Sequence, residues 1–525
     1  MALLQILLFT LLCAVALGWL ARHFKFPYPI ALVIGGGVLG FIPGLPNLPF
    51  DPEFILILVL PPILYQAALL TSWRDFKASL RPIGLLAIGL VIATTLAVGA
   101  TLKFLVPDIP WAAAFVFGAI VSPPDAVAAT AILSRLSIPR RIVTILEGES
   151  LVNDASGLVI YKFAVAAVLT GAFSLTEASM QFVRLSLGGI AIGVALAFVF
   201  IAIHKRLGDT MIEVLTTLAV PYVAYIAAES LHVSGVLAVV AAGLIRGRYS
   251  PAIVSAEMRI IARSVWNMLV FLLNSLIFML IGLQLSDIVA RIERNSTTEL
   301  LVAGVLVSAV AIAVRFVWIH PAAWLSRALA GRAEKKSSTL PEPELVIMSW
   351  CGMRGIVSLA AALALPVTLP GGAPFPYRDL IIFLTFVVIA ATLVLQGLTL
   401  SPLIRWLKVG HDWSTHEEHQ VARTALGSAA AAAIDAEAQA VGASADVAAR
   451  IRAEFADKIA HATPDPDALA TTTVLEPGAA LARRLRRAAI SAERAELLRI
   501  WRDNLISDEV LHHIEEELDY QESHL

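Results

Sequence analysis

Two carboxylates, an amide and a hydroxyl occur close together within an apolar stretch long enough to cross a bilayer. They are Glu149, Ser150, Asn153 and Asp154, in the sequence GESLVNDASG at residues 148–157. An acidic residue at the centre of a membrane helix costs about 2.5–3.5 kcal/mol on insertion scales, so it typically marks a functional site. Ser150 precedes Asn153 by three residues and Asp154 by four, which places all three on one side of a helix.

The oxygens of these side chains indicate which ligand the site would bind. Hydroxyl, amide and carboxylate oxygens are ligands that hard cations prefer. We therefore predict an ion site formed by Asp154 and Ser150, where a monovalent cation and a proton compete for the Asp154 carboxylate. The alternative is that these groups only hydrogen-bond to neighbouring helices and hold the bundle together.

A second polar motif, Ser122-Pro123-Pro124-Asp125, lies about halfway through an apolar run that begins near Trp111. Proline lacks a backbone donor and disfavours helical angles in the residue before it, so the helix must break here. Ser122 as N-cap and Pro123 at the first helical position describe the start of a second half-helix. Asp125 either caps this half-helix or contributes to a site, and the two roles are compatible.

A third motif places an arginine between glycines in a later apolar run, SWCGMRG at residues 349–355. A buried arginine needs an anionic partner, because an unpaired buried charge is strongly destabilising. Glu149 is the natural candidate, so we predict a structural ion pair between Glu149 and Arg354. Arg315, in the preceding apolar run, is a second candidate for a buried arginine.

The composition predicts that these motifs belong to an all-α integral membrane protein. Of 525 residues, 58% are hydrophobic and 15% are charged, and the mean hydropathy is +0.80. The net charge of −2 excludes the strongly basic balance of a nucleic-acid-binding protein. Runs of about 20 apolar residues predict about 13 transmembrane helices, centred near residues 11, 36, 62, 93, 122, 157, 193, 219, 240, 276, 312, 357 and 391.

Charge distribution predicts the orientation and the domain boundary. Lysine and arginine residues concentrate on alternate loops, which the positive-inside rule makes cytoplasmic. We therefore expect a multi-pass cell-membrane protein with its amino terminus outside, which requires an odd number of spans. The chain becomes charged and alanine-rich near residue 410, so we predict a transmembrane domain at 1–409 and a helical cytoplasmic tail at 410–525.

Two interrupted helices in opposite halves of such a chain are typical of secondary transporters built from inverted repeats. An inverted repeat requires two halves that start on opposite sides of the membrane. If the first helix is peripheral, the remaining twelve divide into two groups of six, which would instead be parallel. The sequence leaves this conflict open.

At these residues the chain resembles the monovalent cation/proton antiporters, which include the sodium/proton exchangers. The resemblance covers roughly residues 1–409 and rests on four motifs. They are the glutamate-serine-x-x-asparagine-aspartate signature within 148–154, the crossing-helix motif at 122–125, Met353-Arg354-Gly355, and the double-proline helix at 60–66.

The resemblance implies a fold and a set of roles. Asp154 would carry the proton or cation, with Asn153, Ser150 and Asp125 completing the site and Glu149 pairing with Arg354. It also implies a homodimer with a mobile core domain and two broken crossing helices. Ser122 is a possible accessory residue. Many members carry an acidic residue where this chain has Gln66, and a hydroxyl residue where it has Pro124, so a possible ligand and a possible gate are altered.

These features together predict secondary active transport and not an enzyme. We expect exchange of Na⁺ or Li⁺ for H⁺ by alternating access, with no cofactor. The resemblance implies that this exchange is electroneutral, as for members whose signature pairs one aspartate with an asparagine. A K⁺/H⁺ or broad monovalent cation antiporter is the nearer alternative, and an ion channel a remote one. Ser150 lacks the Gly-x-Ser-x-Gly context of a hydrolase nucleophile. The expected partners are the monovalent cation, the proton, the lipid bilayer and a second copy of the chain.

Overall fold

The structure is a computed structural model that describes residues 2–24, 27–42, 52–133, 136, 138–171, 174–291, 297–329, 340–369, 371–409, 413–460 and 479–525. The regular structure of these residues is helical, apart from an isolated bridge between Thr368 and Pro374. The prediction of an all-α chain is confirmed.

The apolar part of the chain forms helices α1 to α17, with a π-helical segment, Leu85–Leu90, between α5 and α6. In order, α1 to α17 are Ala2–His23, Tyr28–Gly40, Pro52–Leu70, Trp73–Ala78, Leu80–Gly84, Val91–Leu105, Trp111–Val121, Ala126–Leu133, Arg140–Thr170, Leu175–His204, Thr210–Ser230, Gly235–Ile253, Ala256–Arg291, Thr297–Leu329, Glu342–Trp350, Ile356–Leu363 and Arg378–Leu407.

The predicted spans agree with these helices. Twelve of the 13 predicted centres fall inside a helix, and the remaining one, residue 122, lies between α7 and α8. Eight described spans are long and apolar enough to cross a membrane, and three shorter apolar segments, Leu11–Ala21, Tyr28–Gly40 and Ile57–Leu70, accompany them. The chain therefore has the architecture of a multi-span membrane protein.

The chain divides into two compact units. The first comprises Met1–His204, Thr216–Arg248 and Trp266–His411, and the second comprises Lys205–Leu215, Tyr249–Val265 and Asp412–Leu525. The second unit contains four further helices, α18 to α21, at Trp413–Ala440, Ala445–Ala460, Ala479–Arg502 and Asp508–Ser523. Their apolar faces share a core that includes Ile434, Ile451, Leu485 and Val510. The domain boundary at residue 410, inferred from composition, stays a prediction.

The first unit contains two broken helices. The first break, Ser122–Asp125, separates α7 from α8, and the second, Cys351–Gly355, separates α15 from α16. The prolines at 123 and 124 explain the first break, because neither can donate a helical hydrogen bond. Helix α9 is long and continuous and packs against α7, α8, α15 and α16. The signature residues on α9 therefore lie next to both breaks.

Candidate functional site

The two breaks lie against each other and bond to each other. The amide nitrogen of Asp125 donates to the carbonyl oxygen of Met353 at 2.7 Å, and Nη1 of Arg354 donates to the carbonyl oxygen of Ser122 at 3.0 Å. Irregular backbone at membrane depth needs such partners within the protein, since lipid offers none. The crossing of two broken helices predicted from the sequence is present.

Asp125 stabilises the half-helix that follows it and contacts the second break. Its Oδ1 accepts a hydrogen bond from the amide of Val127 at 2.8 Å, which is one of the two roles expected of it. Because α8 begins at Ala126, Asp125 and not Ser122 is the N-cap. A Cβ atom at Gly355 would collide with the Asp125 carboxylate. Only glycine therefore lets the second break approach Asp125 this closely.

Two side chains of α9 form hydrogen bonds with the backbone at the first break. Nδ2 of Asn153 donates to the carbonyl oxygen of Pro124 at 2.9 Å. Oγ of Ser150 accepts from the amide of Ala126 at 3.3 Å. The amide oxygen of Asn153 is buried and has no hydrogen-bond partner within the described residues, so it remains able to accept from or coordinate a ligand.

A small cavity lies between α3, α8 and α9, beside the first break. It has a volume of about 110 Å³, and its polar lining comes from Asp125, Thr130, Glu147, Ser150 and Asp154. The remaining lining is apolar and comes from Val59, Leu60, Ile63, Leu64, Ala67, Ala126, Val127, Leu151, Ile277 and Val357. The volume holds a few water-sized particles at most, and the polar atoms of these five side chains are all oxygens. Such a cavity suits a small cation better than an organic solute.

Asp154 places a buried carboxylate in the lining of this cavity. It is 7% exposed and forms no hydrogen bond or ion pair with another described residue. A buried polar group normally has a partner, because leaving it unsatisfied is costly. An unpartnered carboxylate that faces a cavity is therefore ready to bind a proton or a cation.

The buried ion pair differs from the prediction. Glu149 pairs with Arg315 of α14: Nη1 lies 2.5 Å from Oε1 and Nη2 lies 2.6 Å from Oε2. Both side chains are 1% exposed, and Nε of Arg315 donates to the carbonyl oxygen of Met348 at 2.9 Å. The predicted partner, Arg354, instead bonds to the first break. The prediction of a Glu149–Arg354 pair is therefore wrong: the fold places Arg315 where it meets the carboxylate with two parallel donors, and places the Arg354 guanidinium at the Ser122 carbonyl.

Gln66, Ser122 and Arg315, the possible accessory residues, lie outside the cavity lining. Gln66 donates from Nε2 to Oδ1 of Asn267 at 3.2 Å, in an exposed position. The hydroxyl of Ser122 donates to the carbonyl oxygen of Ala119, one turn earlier, at 3.0 Å. Ser122 contributes to the crossing through its backbone oxygen and not through its side chain.

Among the polar residues of the cavity, sequence reasoning missed Thr130 of α8 and, on α9, the acidic residue Glu147. It precedes Ser150 by three residues and Asp154 by seven, which puts it on the same face of α9. That spacing was the signal that could have identified it. Glu149, two residues later, points elsewhere and reaches Arg315.

The fold and the site define an integral membrane protein of the antiporter type, in which crossed helix breaks surround a buried carboxylate. The family model described as "Sodium/hydrogen exchanger, transmembrane" matches residues 7–406. The chain belongs to the sodium/hydrogen exchanger family.

Individual relatives support the family assignment. A protein of Mycobacterium tuberculosis (strain H37Rv) named as an uncharacterized Na⁺/H⁺ exchanger is 34% identical over 525 residues, covering 99% of this chain and 96% of the relative. A sodium, potassium, lithium and rubidium/H⁺ antiporter of Bacillus subtilis is 36% identical over 390 residues, covering 71% of this chain and 57% of the relative. The solved structure of the sodium proton antiporter MjNhaP1 from Methanocaldococcus jannaschii has a TM-score of 0.60 and 19% identity, covering 78% of this chain and 99% of that one. This last likeness concerns the fold.

Proposed function

We propose that the chain exchanges Na⁺ or Li⁺ for H⁺ across the membrane, with Asp154 as the group that binds either ion. The observation that carries the proposal is the Asp154 carboxylate, which is buried, lines a small cavity and has no partner among the described residues. A structural carboxylate in this fold looks different: Glu149 is fully paired with Arg315.

The other oxygens near the cavity support the same role. Ser150 and Asp125 line the cavity together with Asp154, and the buried amide oxygen of Asn153 has no partner within the described residues. Dehydrating a cation is costly, so several protein oxygens must replace its water shell. We assign Asp154 and Ser150 as direct ligands, with Asn153 and Asp125 completing or supporting the site.

The exchange cycle follows from one carboxylate serving two ions. Asp154 releases its proton on one side of the membrane and binds a cation, and the loaded site then opens to the other side. There the cation leaves and a proton replaces it. A carboxylate neutralised by either ion crosses in both directions, because a bare buried charge would be too costly to move.

This cycle predicts electroneutral exchange of one cation for one proton. Moving a net charge would couple transport to voltage by about 2.3 kcal/mol per charge per 100 mV. Purified protein in liposomes, with the voltage clamped by valinomycin and potassium, should exchange Na⁺ at rates independent of the imposed voltage. Rates that follow the voltage would contradict the one-for-one stoichiometry.

A broader monovalent cation/H⁺ antiporter is the second candidate. The Bacillus relative is named for transport of sodium, potassium, lithium and rubidium, which favours this alternative for the chain. Everted membrane vesicles loaded with a pH-sensitive dye separate the two candidates when sodium, lithium and potassium are added in turn, from neutral to alkaline pH. Dequenching by sodium and lithium alone supports the first, and dequenching by potassium as well supports the second. Silence with all three from well-expressed protein would contradict both and favour a channel or another substrate.

The membrane arrangement is part of the proposal. We infer a cell-membrane location with the amino terminus outside and the tail in the cytoplasm, supported by the basic loops and by the odd number of predicted spans. We also infer a homodimer, as the family resemblance implies. Cross-linking in native membranes tests the dimer, and a cysteine-accessibility scan of the two termini tests the orientation.

A further inference from the structure

Two glutamates near the start of α9 are two residues apart and have different surroundings. Glu149 is 1% exposed and its carboxylate bonds to Arg315 through both oxygens. Glu147 is only partly buried, lines the cavity that contains Asp154, and has no hydrogen bond or ion pair with another described residue. The first glutamate has a structural partner, whereas the second has none within the part of the chain that the structure describes.

The geometry of α9 relates Glu147 to Asp154. The two residues are seven positions apart, which is about 10 Å along a helix and nearly the same angular position. Ser150 lies between them and lines the same cavity. The three side chains therefore form a row of oxygens that leads along one wall of the cavity to the buried carboxylate.

The direction of this row follows from the chain. Helix α9 begins at Arg140, after a basic loop that the positive-inside rule assigns to the cytoplasm. Glu147 is thus nearer the cytoplasmic end of the helix than Asp154. A cation that enters from the cytoplasm would meet the Glu147 carboxylate first.

We propose that Glu147 is an entry ligand for the transported monovalent cation, attracting it at the cytoplasmic end of the cavity and passing it along the row to Asp154. The proposal rests on the function proposed above, with Asp154 as the central carrier. Coulomb's law at an effective dielectric constant of about 20 makes the attraction between a carboxylate and a cation about 10 Å away equivalent to about a tenfold change in affinity. Because Glu147 has no described partner, removing its charge should leave the fold intact.

The test is a kinetic comparison on the two faces of the membrane. Everted vesicles present the cytoplasmic face to added sodium, and right-side-out vesicles present the opposite face. We expect Glu147→Gln to raise the KM for sodium about tenfold in everted vesicles, with the maximal rate retained, and to leave the KM unchanged in right-side-out vesicles. Glu147→Asp, which keeps the charge, should recover most of the loss. Glu177→Gln, the same change at an exposed glutamate of α10, is the matched control.

The other possible results would overturn the entry role of Glu147, or the proposed function with it. An unchanged KM on the cytoplasmic face, from parent-like amounts of protein, would overturn the entry role. A rise of equal size on both faces would also overturn it, because Glu147 would then belong to the central site. If the parent exchanges none of the three cations, the proposed function fails, and this inference fails with it. Active parent protein with an unaffected Glu147→Gln variant overturns the inference alone.

Discussion

At the scale of single residues, the three carboxylates of α9 divide into one that is paired and two that line a cavity. Each guanidinium nitrogen of Arg315 donates a hydrogen bond, two of them to the Glu149 carboxylate and one to the Met348 carbonyl. Asp154 and Glu147 have no partner among the described residues. The difference separates carboxylates that stabilise the bundle from those that can bind a transported ion.

The paired glutamate leads to a prediction about stability. Glu149→Gln leaves Arg315 as an uncompensated buried charge, and breaking one side of a buried ion pair costs about 3–5 kcal/mol. We expect a clearly lower melting temperature in detergent and less protein in the membrane. Arg354→Gln should cost less, because Arg354 bonds to the Ser122 carbonyl and not to a carboxylate.

A double variant distinguishes loss of the pair from loss of packing. Glu149→Gln combined with Arg315→Met removes both charges, so its melting temperature should lie above that of Glu149→Gln alone. An unchanged melting temperature in Glu149→Gln would contradict the assigned pairing.

At the scale of helices, the central feature is that each helix break provides hydrogen-bond partners for polar groups of the other break. The amide of Asp125 bonds to Met353, and the side chain of Arg354 bonds to Ser122. The amide of Arg354 also donates to Oγ1 of Thr392 on α17, at 3.1 Å. The crossing is therefore held by specific bonds, and it depends on a close approach at Gly355.

Gly355 leads to a prediction about the crossing. Gly355→Ala places a methyl group onto the Asp125 carboxylate, so the second break must move away. We expect transport to fall at least tenfold and the melting temperature to decrease, as overpacking in a dense interior commonly costs about 1–3 kcal/mol. Gly84→Ala is the matched control, since a Cβ at Gly84 meets nothing within 4 Å. Parent-like transport by Gly355→Ala would show that the tight crossing is not required.

The positions of the helices could be predicted from the sequence better than the side-chain contacts between them. Apolar runs located the spans, and Pro123 and Pro124 located the first break, because both signals are local in the sequence. Helical spacing also placed Ser150 and Asp154 on one face. It could not say which arginine faces Glu149, since that depends on where the three-dimensional packing places α14 and the second break relative to α9. The same limit applies to Gln66, whose partner, Asn267, lies on a distant helix.

At the scale of the whole molecule, the second unit combines three separate segments of the sequence. Its segments Lys205–Leu215 and Tyr249–Val265 belong with residues 412–525, and Arg259 of the second segment bonds to Asp519 of α21. The distances are 2.7 Å from Nε to Oδ2 and 2.5 Å from Nη2 to Oδ1. Asp519 is 1% exposed and Glu515, also near Arg259, is 3% exposed. The tail helices are thus joined by ion pairs to the first turn of α13.

Arg259 leads to a prediction about this attachment. Arg259→Ala leaves Asp519 with Arg494 as its remaining partner and leaves Glu515 without Arg259. We expect limited proteolysis in detergent to release the tail several-fold faster than in the parent. Arg499→Ala, which removes an exposed arginine paired within α20, should digest at the parent rate, since exposed pairs contribute little. Equal rates for Arg259→Ala and the parent would contradict a stabilising role for this pair.

The measurement that tests the central claim most directly is cation-induced dequenching of a pH-sensitive dye in everted vesicles, with the parent and Asp154→Asn side by side. Asparagine keeps the shape of the side chain and removes the charge that would exchange a proton for a cation. We predict sodium- or lithium-induced dequenching in the parent and none in the variant, at matched amounts of protein and similar melting temperature. Exchange retained by Asp154→Asn would contradict the account.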